Sequence, residues 1–306
     1  MTFLMLKFLP KIIARDAYDG RAATREAFTK YYSSPDHLSG SQLIQDRLRN
    51  AQKWGFTSED IANFEISTLY VATTNTVATS FWMLCHILSQ PFLLDDIRAE
   101  LDAITIIRHG AAKIDSSRLM TDCPLLLSCF HETLRLVISA TSVRSVVSSV
   151  DLTSTSSSIS YAIKSPAVIQ LPSGITHSSP AIWGSDAHLF DPRRFLPTTK
   201  DSLDRETRKK QKDGFFPFGG GKHLCPGRHF ATMEILAFVA ALCAGFDFMG
   251  AGEEDRDDEG RVKLPERAFQ KLGTAVRKPV RDVKLEFERR KGWEGIKWEF
   301  EVGGKE

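Results

Sequence analysis

Polar and apolar positions divide the chain into a helical front, a middle of short strands and a mixed tail. Residues 11–56 read as two polar helices, broken at Ser33-Ser34-Pro35-Asp36, where proline and small polar residues favour a turn. A long apolar helix is expected from Ser58 to Gln90. Thr57 or Ser58 can cap it, Glu59 and Asp60 suit its positive end, and Pro91 stops it. Phe92 to Ile107 reads as an amphipathic helix, followed by a loop to Cys123 and a further helix from Cys123 to Val137. The pattern then turns to short β-branched runs at Val143–Val150, Tyr161–Ile163 and Val168–Leu171, with a serine-rich surface turn at Asp151–Ser158. Lys200 to Asp213 is a charge run, expected as a solvated loop. An apolar helix from Phe230 to Cys243 follows, then an acidic loop at Gly250–Gly260. Val283–Phe287 and Ile296–Val302 alternate like a hairpin. The pattern reads as mainly α with small β-sheets, and 306 residues suggest one or two domains.

Composition narrows this picture. Forty basic and 38 acidic residues leave a net charge of +2, so there is no basic footprint for nucleic acid. Five cysteines (Cys85, Cys123, Cys129, Cys225, Cys243) form no disulfide framework, which fits a reducing compartment. Residues 66–88 lack any charged side chain and raise the question of a membrane span, but nine Ser, Thr, Asn or His residues there make one costly. Met1–Pro10 is apolar but too short to span, so no anchor is expected in this chain.

The chemistry concentrates at Phe215-Phe216-Pro217-Phe218-Gly219-Gly220-Gly221-Lys222-His223-Leu224-Cys225-Pro226-Gly227-Arg228. One cysteine sits in a glycine-rich loop just ahead of a helix, whose free N–H groups favour a thiolate. Glycines let the backbone pass close to a flat ligand. No second Cys or His ligand stands nearby for a zinc cage. The choice lies between a thiolate beneath a planar metal cofactor and a glycine-rich turn around a structural cysteine.

The order Phe218, Gly221, Cys225, Gly227 follows F-x-x-G-x-x-x-C-x-G and resembles the haem-binding loop of the cytochrome P450 family. Further segments match in family order. Glu132-Thr133-Leu134-Arg135 resembles the E-x-x-R pair, three apart on one helix face. Pro192-Arg193-Arg194-Phe195 resembles the P-x-R-F segment, which implies one buried network of Glu132, Arg135 and Arg194. Ala72-Thr73-Thr74-Asn75-Thr76 is similar to the distal helix, where an acidic residue usually precedes the threonine. Asn75 replaces that acid, as in the sterol 7α-hydroxylase and prostacyclin synthase branches. Ile175–Asp186 is similar to the turn and short helix leading into P-x-R-F.

The resemblance implies a single cytochrome P450 domain over residues 1–306, mainly α with small β-sheets, with haem (iron protoporphyrin IX) as cofactor and Cys225 as axial ligand of its iron. It implies Asn75 and Thr76 as catalytic residues, Arg144 and His223 on the haem propionates, and Phe218, Gly221 and Gly227 shaping the cofactor loop. It also implies a monooxygenase served by NADPH-cytochrome P450 reductase, monomeric and associated with the endoplasmic reticulum membrane. The run ahead of the loop (Arg205, Arg208, Lys209, Lys210, Lys212) is a candidate docking patch for that reductase. A lipophilic substrate such as a sterol, a terpenoid or another secondary metabolite would be lined by Ile66, Leu69, Val71, Ala72, Ala140–Val143 and Leu272–Val276. Two alternatives stand beside this: a haem-thiolate isomerase acting on a peroxide, and a non-catalytic fragment. The resemblance runs from about Ala14 to Trp293 and covers the C-terminal part of the family, an N-terminally truncated P450 fold. The chain alone is therefore expected to hold haem weakly and turn over poorly.

Overall fold

The computed structural model describes residues 10–153, 159–269 and 274–301. The serine turn at 154–158, Leu272 and Gly273 of the expected substrate lining, and Val302 of the expected hairpin lie outside those residues. The described chain forms two compact units, one up to Asn75 and one from Thr76 onward.

In the first unit α1 (Arg15–Ser33) and α2 (Gln42–Lys53) match the two polar helices read from the sequence. The break between them is a 3-10 turn, Pro35–Ser39, started by Ser34, whose hydroxyl accepts the Asp36 N–H at 3.3 Å. Tyr32, Leu48 and Ile61 form its small core. Helix α3 (Ser58–Leu88) begins with a reciprocal cap. The Asp60 N–H donates to Thr57 Oγ1 at 3.2 Å, and the Thr57 N–H donates to Asp60 Oδ2 at 2.9 Å.

In the second unit the C-terminal part of α3 packs with α4 (Leu93–Ile104), α6 (Pro124–Val137) and α11 (Arg228–Gly245). Trp82, Met83, Ile97, Leu101, Leu126, Phe130 and Leu236 are almost wholly buried between them. Full burial of such side chains stabilises by roughly 1.5–3 kcal/mol each before entropy is counted. By length and composition α11 could also cross a membrane, but Ile235, Leu236, Val239 and Ala240 on its length are buried in the core.

The strands carry the departures from the sequence reading. The amphipathic helix stops at Ile104, and β1 (Thr105–Arg108) turns through His109 and Gly110 into β2 (Ala111–Asp115). Both turn residues have positive φ, 52° and 77°. The expected loop to Cys123 is thus a hairpin followed by a short helix, α5 (Ser116–Thr121). β3 (Thr141–Val146) pairs with β6 (Ala167–Pro172), and β4 (Val150–Thr153) with β5 (Ser160–Ile163), all antiparallel. Two short helices follow, α7 (Ser173–His177) and α8 (Pro180–Trp183), then α9 (Pro197–Ser202).

The charge run is not a loop. Residues Arg205–Gly214 form α10, because Asp204 caps it by accepting the Glu206 and Thr207 N–H groups at 2.9 Å. Lys210 and Glu206 add an i,i+4 pair at 2.7 Å. Nor is the tail a hairpin. β8 (Leu285–Arg289) pairs with β7 (Phe246–Ala251), which absorbs the start of the expected acidic loop, while β9 (Lys297–Glu301) adds in parallel to β2. Alternation marks a strand, but its partner is set by packing across the unit.

Candidate functional site

Helix α6 delivers Glu132 and Arg135 to its buried face one turn apart. Both are essentially inaccessible, and Arg194 is 7% exposed. Arg135 grips Glu132 with two parallel bonds, Nε to Oε2 and Nη2 to Oε1, each 2.7 Å. The Arg194 Nε donates to Glu132 Oε1 at 3.0 Å, and the Asp191 N–H reaches the same oxygen at 3.1 Å. The remaining guanidinium donors are also used. Arg135 Nη1 binds the carbonyls of His177 (2.6 Å) and Ala187 (2.7 Å); Arg194 binds the Trp183 carbonyl (3.1 Å) and Asp186 Oδ2 (2.8 Å). One carboxylate and two forked cations therefore lock α6 to the irregular segment 177–195. Planar guanidinium suits this role because it stays charged in a dry site.

Phe215 to Gly227 lead from this lock to α11. Phe215 roots the segment in an aromatic cluster, its ring 4.7 Å from Phe195 and 5.7 Å from both His131 and His177. The Phe216 N–H donates to His177 Nε2 at 3.2 Å. Beyond it the loop folds on its own backbone: the Gly219 N–H donates to the Phe216 carbonyl at 3.1 Å, and the Cys225 N–H to the Phe218 carbonyl at 2.9 Å. Gly219 and Gly221 hold φ of 83° and 70°, a region that disfavours any side chain. Arg144 on β3 reaches over and donates through Nη2 to the Gly220 carbonyl at 2.9 Å. Phe218, Gly221, Cys225, Gly227 and Arg144 thus fall within one backbone-held region, with His223 exposed on it.

Cys225 itself is exposed, whereas the other four cysteines are buried. Burial pushes the thiols of Cys85, Cys123 and Cys243 up to about 12 and that of Cys129 well above its usual value. Those four are held as neutral thiols. The sequence singles out the same cysteine by its loop.

Asn75 and Thr76 stand consecutively on α3, Asn75 half-buried and Thr76 6% exposed. Among the expected substrate-lining side chains, Leu69 and Val71 are exposed in the first unit and Val143 in the second.

His177 was not picked out as a functional residue. Its ring accepts the Phe216 N–H while its carbonyl accepts from Arg135, so it ties the arginine lock to the cysteine loop. Burial and the Arg135 charge lower its pKa to about 4, so the ring is neutral near pH 7. The sequence offers only a lone histidine in an expected turn, and its partner lies 39 residues away.

The cytochrome P450 family model matches residues 2–270. A cytochrome P450 monooxygenase of Gibberella zeae is 32% identical over 272 residues, covering 87% of this chain and 50% of that protein. Cytochrome P450 monooxygenase nodJ of Hypoxylon pulicicidum is 31% identical over 308 residues, covering 99% of this chain and 58% of that one. Cholesterol 7-alpha-monooxygenase of Cricetulus griseus is 26% identical, with 81% and 49% covered. The chain spans about half the length of the curated relatives it matches.

Proposed function

This chain belongs to the cytochrome P450 family, and from that premise we propose that it serves as a haem-thiolate monooxygenase oxidising a lipophilic small molecule. Haem is the family's cofactor, and when bound it supplies the redox chemistry that activates dioxygen. The residues present fit it. Cys225 is an exposed soft donor on a loop where a Cβ at Gly220 or Gly221 would meet no atom within 4 Å, leaving room for a flat group against the backbone. That exposed thiol in a glycine-held loop, with α11 starting three residues later, is the observation that carries the reading.

Cys225 would ligate the iron through its sulfur, just ahead of α11. Phe218, Gly221 and Gly227 keep the loop low enough for close approach. Arg144 uses one donor on the Gly220 carbonyl and one on the Val143 carbonyl, and the rest of its fork suits a propionate. His223 is the second propionate candidate. Asn75 and Thr76 would orient water and a proton on the distal side; an amide positions water without relaying a proton as a carboxylate can. The cationic face of α10 supports docking of NADPH-cytochrome P450 reductase. The relatives named above as monooxygenases, one of them acting on cholesterol, support a sterol, terpenoid or similar secondary metabolite as substrate. We place the protein at the endoplasmic reticulum membrane as a monomer, and treat both units as one P450 domain, since the family match runs across their boundary.

The test is the absorption spectrum of the haem-loaded, reduced protein under carbon monoxide. A red-shifted, thiolate-type Soret band is expected, and Cys225→Ala should abolish it. A histidine-type band in the wild type would refute the assignment.

A further inference from the structure

Beside the arginine lock, with no residue of the cysteine loop in its lining, lies a cavity of about 150 Å³. Its walls include Arg135, Ser139, His177, His188, Arg267 and Arg277, and no aspartate or glutamate lines it. Arg135 is already neutralised by Glu132. The other two arginines are not paired with any acid among the described residues. Arg267 spends Nη1 on the Leu136 carbonyl at 2.8 Å and lies over the Trp82 ring at 5.9 Å. Burial, with repulsion from Arg277 and Arg135, lowers its pKa. Arg277 leaves its buried Nε without a hydrogen-bond partner.

His177 lines the same cavity. It is 1% exposed, and its Nδ1 is buried with no partner. Because Nε2 accepts the Phe216 N–H, the neutral ring carries its proton on Nδ1, which is therefore an unanswered donor. Two cations of like sign and an orphaned N–H lining one cavity are costly when nothing answers them. Waters could answer the hydrogen bonds, since each needs only about 10–15 Å³ of such volume, but they would leave the charge uncompensated. One group answers both.

The geometry points to a binding site for one small tetrahedral oxyanion, of the phosphate or sulfate class, held by Arg267, Arg277 and the His177 Nδ1–H. A dianion balances the two unpaired guanidinium charges, and its oxygens suit their forked donors. Through His177 the bound anion also steadies the acceptor of the Phe216 N–H at the root of the cysteine loop.

The site can be tested without haem, so its failure is separable from failure of the haem assignment. Thermal unfolding of the 306-residue chain is followed in increasing inorganic phosphate, against chloride at matched ionic strength. A saturating rise in Tm of a few degrees is expected for the wild type and not for Arg277→Gln. An equal response in both proteins overturns the site. Independently of any variant, wild-type crystals soaked in selenate should show an anomalous peak between Arg267 and Arg277. Density of water size without such a peak overturns it as well.

Discussion

Replacing Glu132 with glutamine keeps the side chain's size but removes the anion that holds two buried arginines. The carboxylate accepts four hydrogen bonds, two from Arg135, one from Arg194 and one from the Asp191 N–H. All four end on an ionised oxygen and are charge-assisted, and such bonds contribute about 1.5–3 kcal/mol each. Their sum overstates the loss, because part of each bond survives to the amide oxygen. The amide nitrogen, however, must face a guanidinium donor, and Arg135 then keeps its full charge in a site with no solvent access. Breaking a buried pair in this way costs about 3–5 kcal/mol. That is a large part of the roughly 5–15 kcal/mol by which domains are stable. Urea unfolding followed by circular dichroism gives the difference directly. The exposed pair Arg193–Asp96, at 3.0 Å with side chains 60% and 48% exposed, supplies the control. Asp96→Asn should cost under about 1 kcal/mol. If Glu132→Gln costs no more than Asp96→Asn, the network does not bear on stability and the reasoning is refuted.

Three further outcomes follow from the packing. His177→Ala leaves the Phe216 N–H without its acceptor; a loss of about 1–3 kcal/mol is expected, and unchanged amide exchange at Phe216 would contradict it. His86, His131 and His177 are held neutral by burial, with pKa values lowered to about 3, 4 and 4, so the unfolded chain takes up protons before the folded one as pH falls below about 6.5. Their contribution is complete above that pH and drains as pH falls toward those lowered values. About 2 kcal/mol per histidine should be lost by pH 5, and equal urea midpoints at pH 7.5 and 5 would speak against it. Gly245→Ala would set a Cβ 2.9 Å from Trp298 Cζ2, an overpacking expected to cost about 1–3 kcal/mol by the same urea assay; a neutral result would mean that Trp298 yields freely.

Much was legible along the chain because it is local. Thr57, Asp60 and Pro91 bracket α3 through capping and the missing proline N–H, and these act within a turn. Glu132 and Arg135 share a helix face by spacing alone. The cysteine loop is readable because glycines and one thiol sit at fixed intervals within fourteen residues. For α10 the local signals conflict: Asp204 is a capping residue ahead of the run, while the density of charge behind it favours a solvated loop, and the folded chain forms the helix.

Tertiary structure alone decided the rest. Lys297–Glu301 alternates like a hairpin arm, yet it pairs in parallel with Ala111–Asp115, nearly 190 residues earlier. Alternation fixes which face of a strand is buried and carries no label for its neighbour. His177 and Phe216, 39 residues apart, are hydrogen-bonded where the Arg135 guanidinium holds the His177 carbonyl, and Arg267, Arg277 and His177 line one cavity. Periodicity and capping act over a few residues and are written in order along the chain. Partners across the fold are chosen by which surfaces the core brings together, and only the folded chain contains that choice.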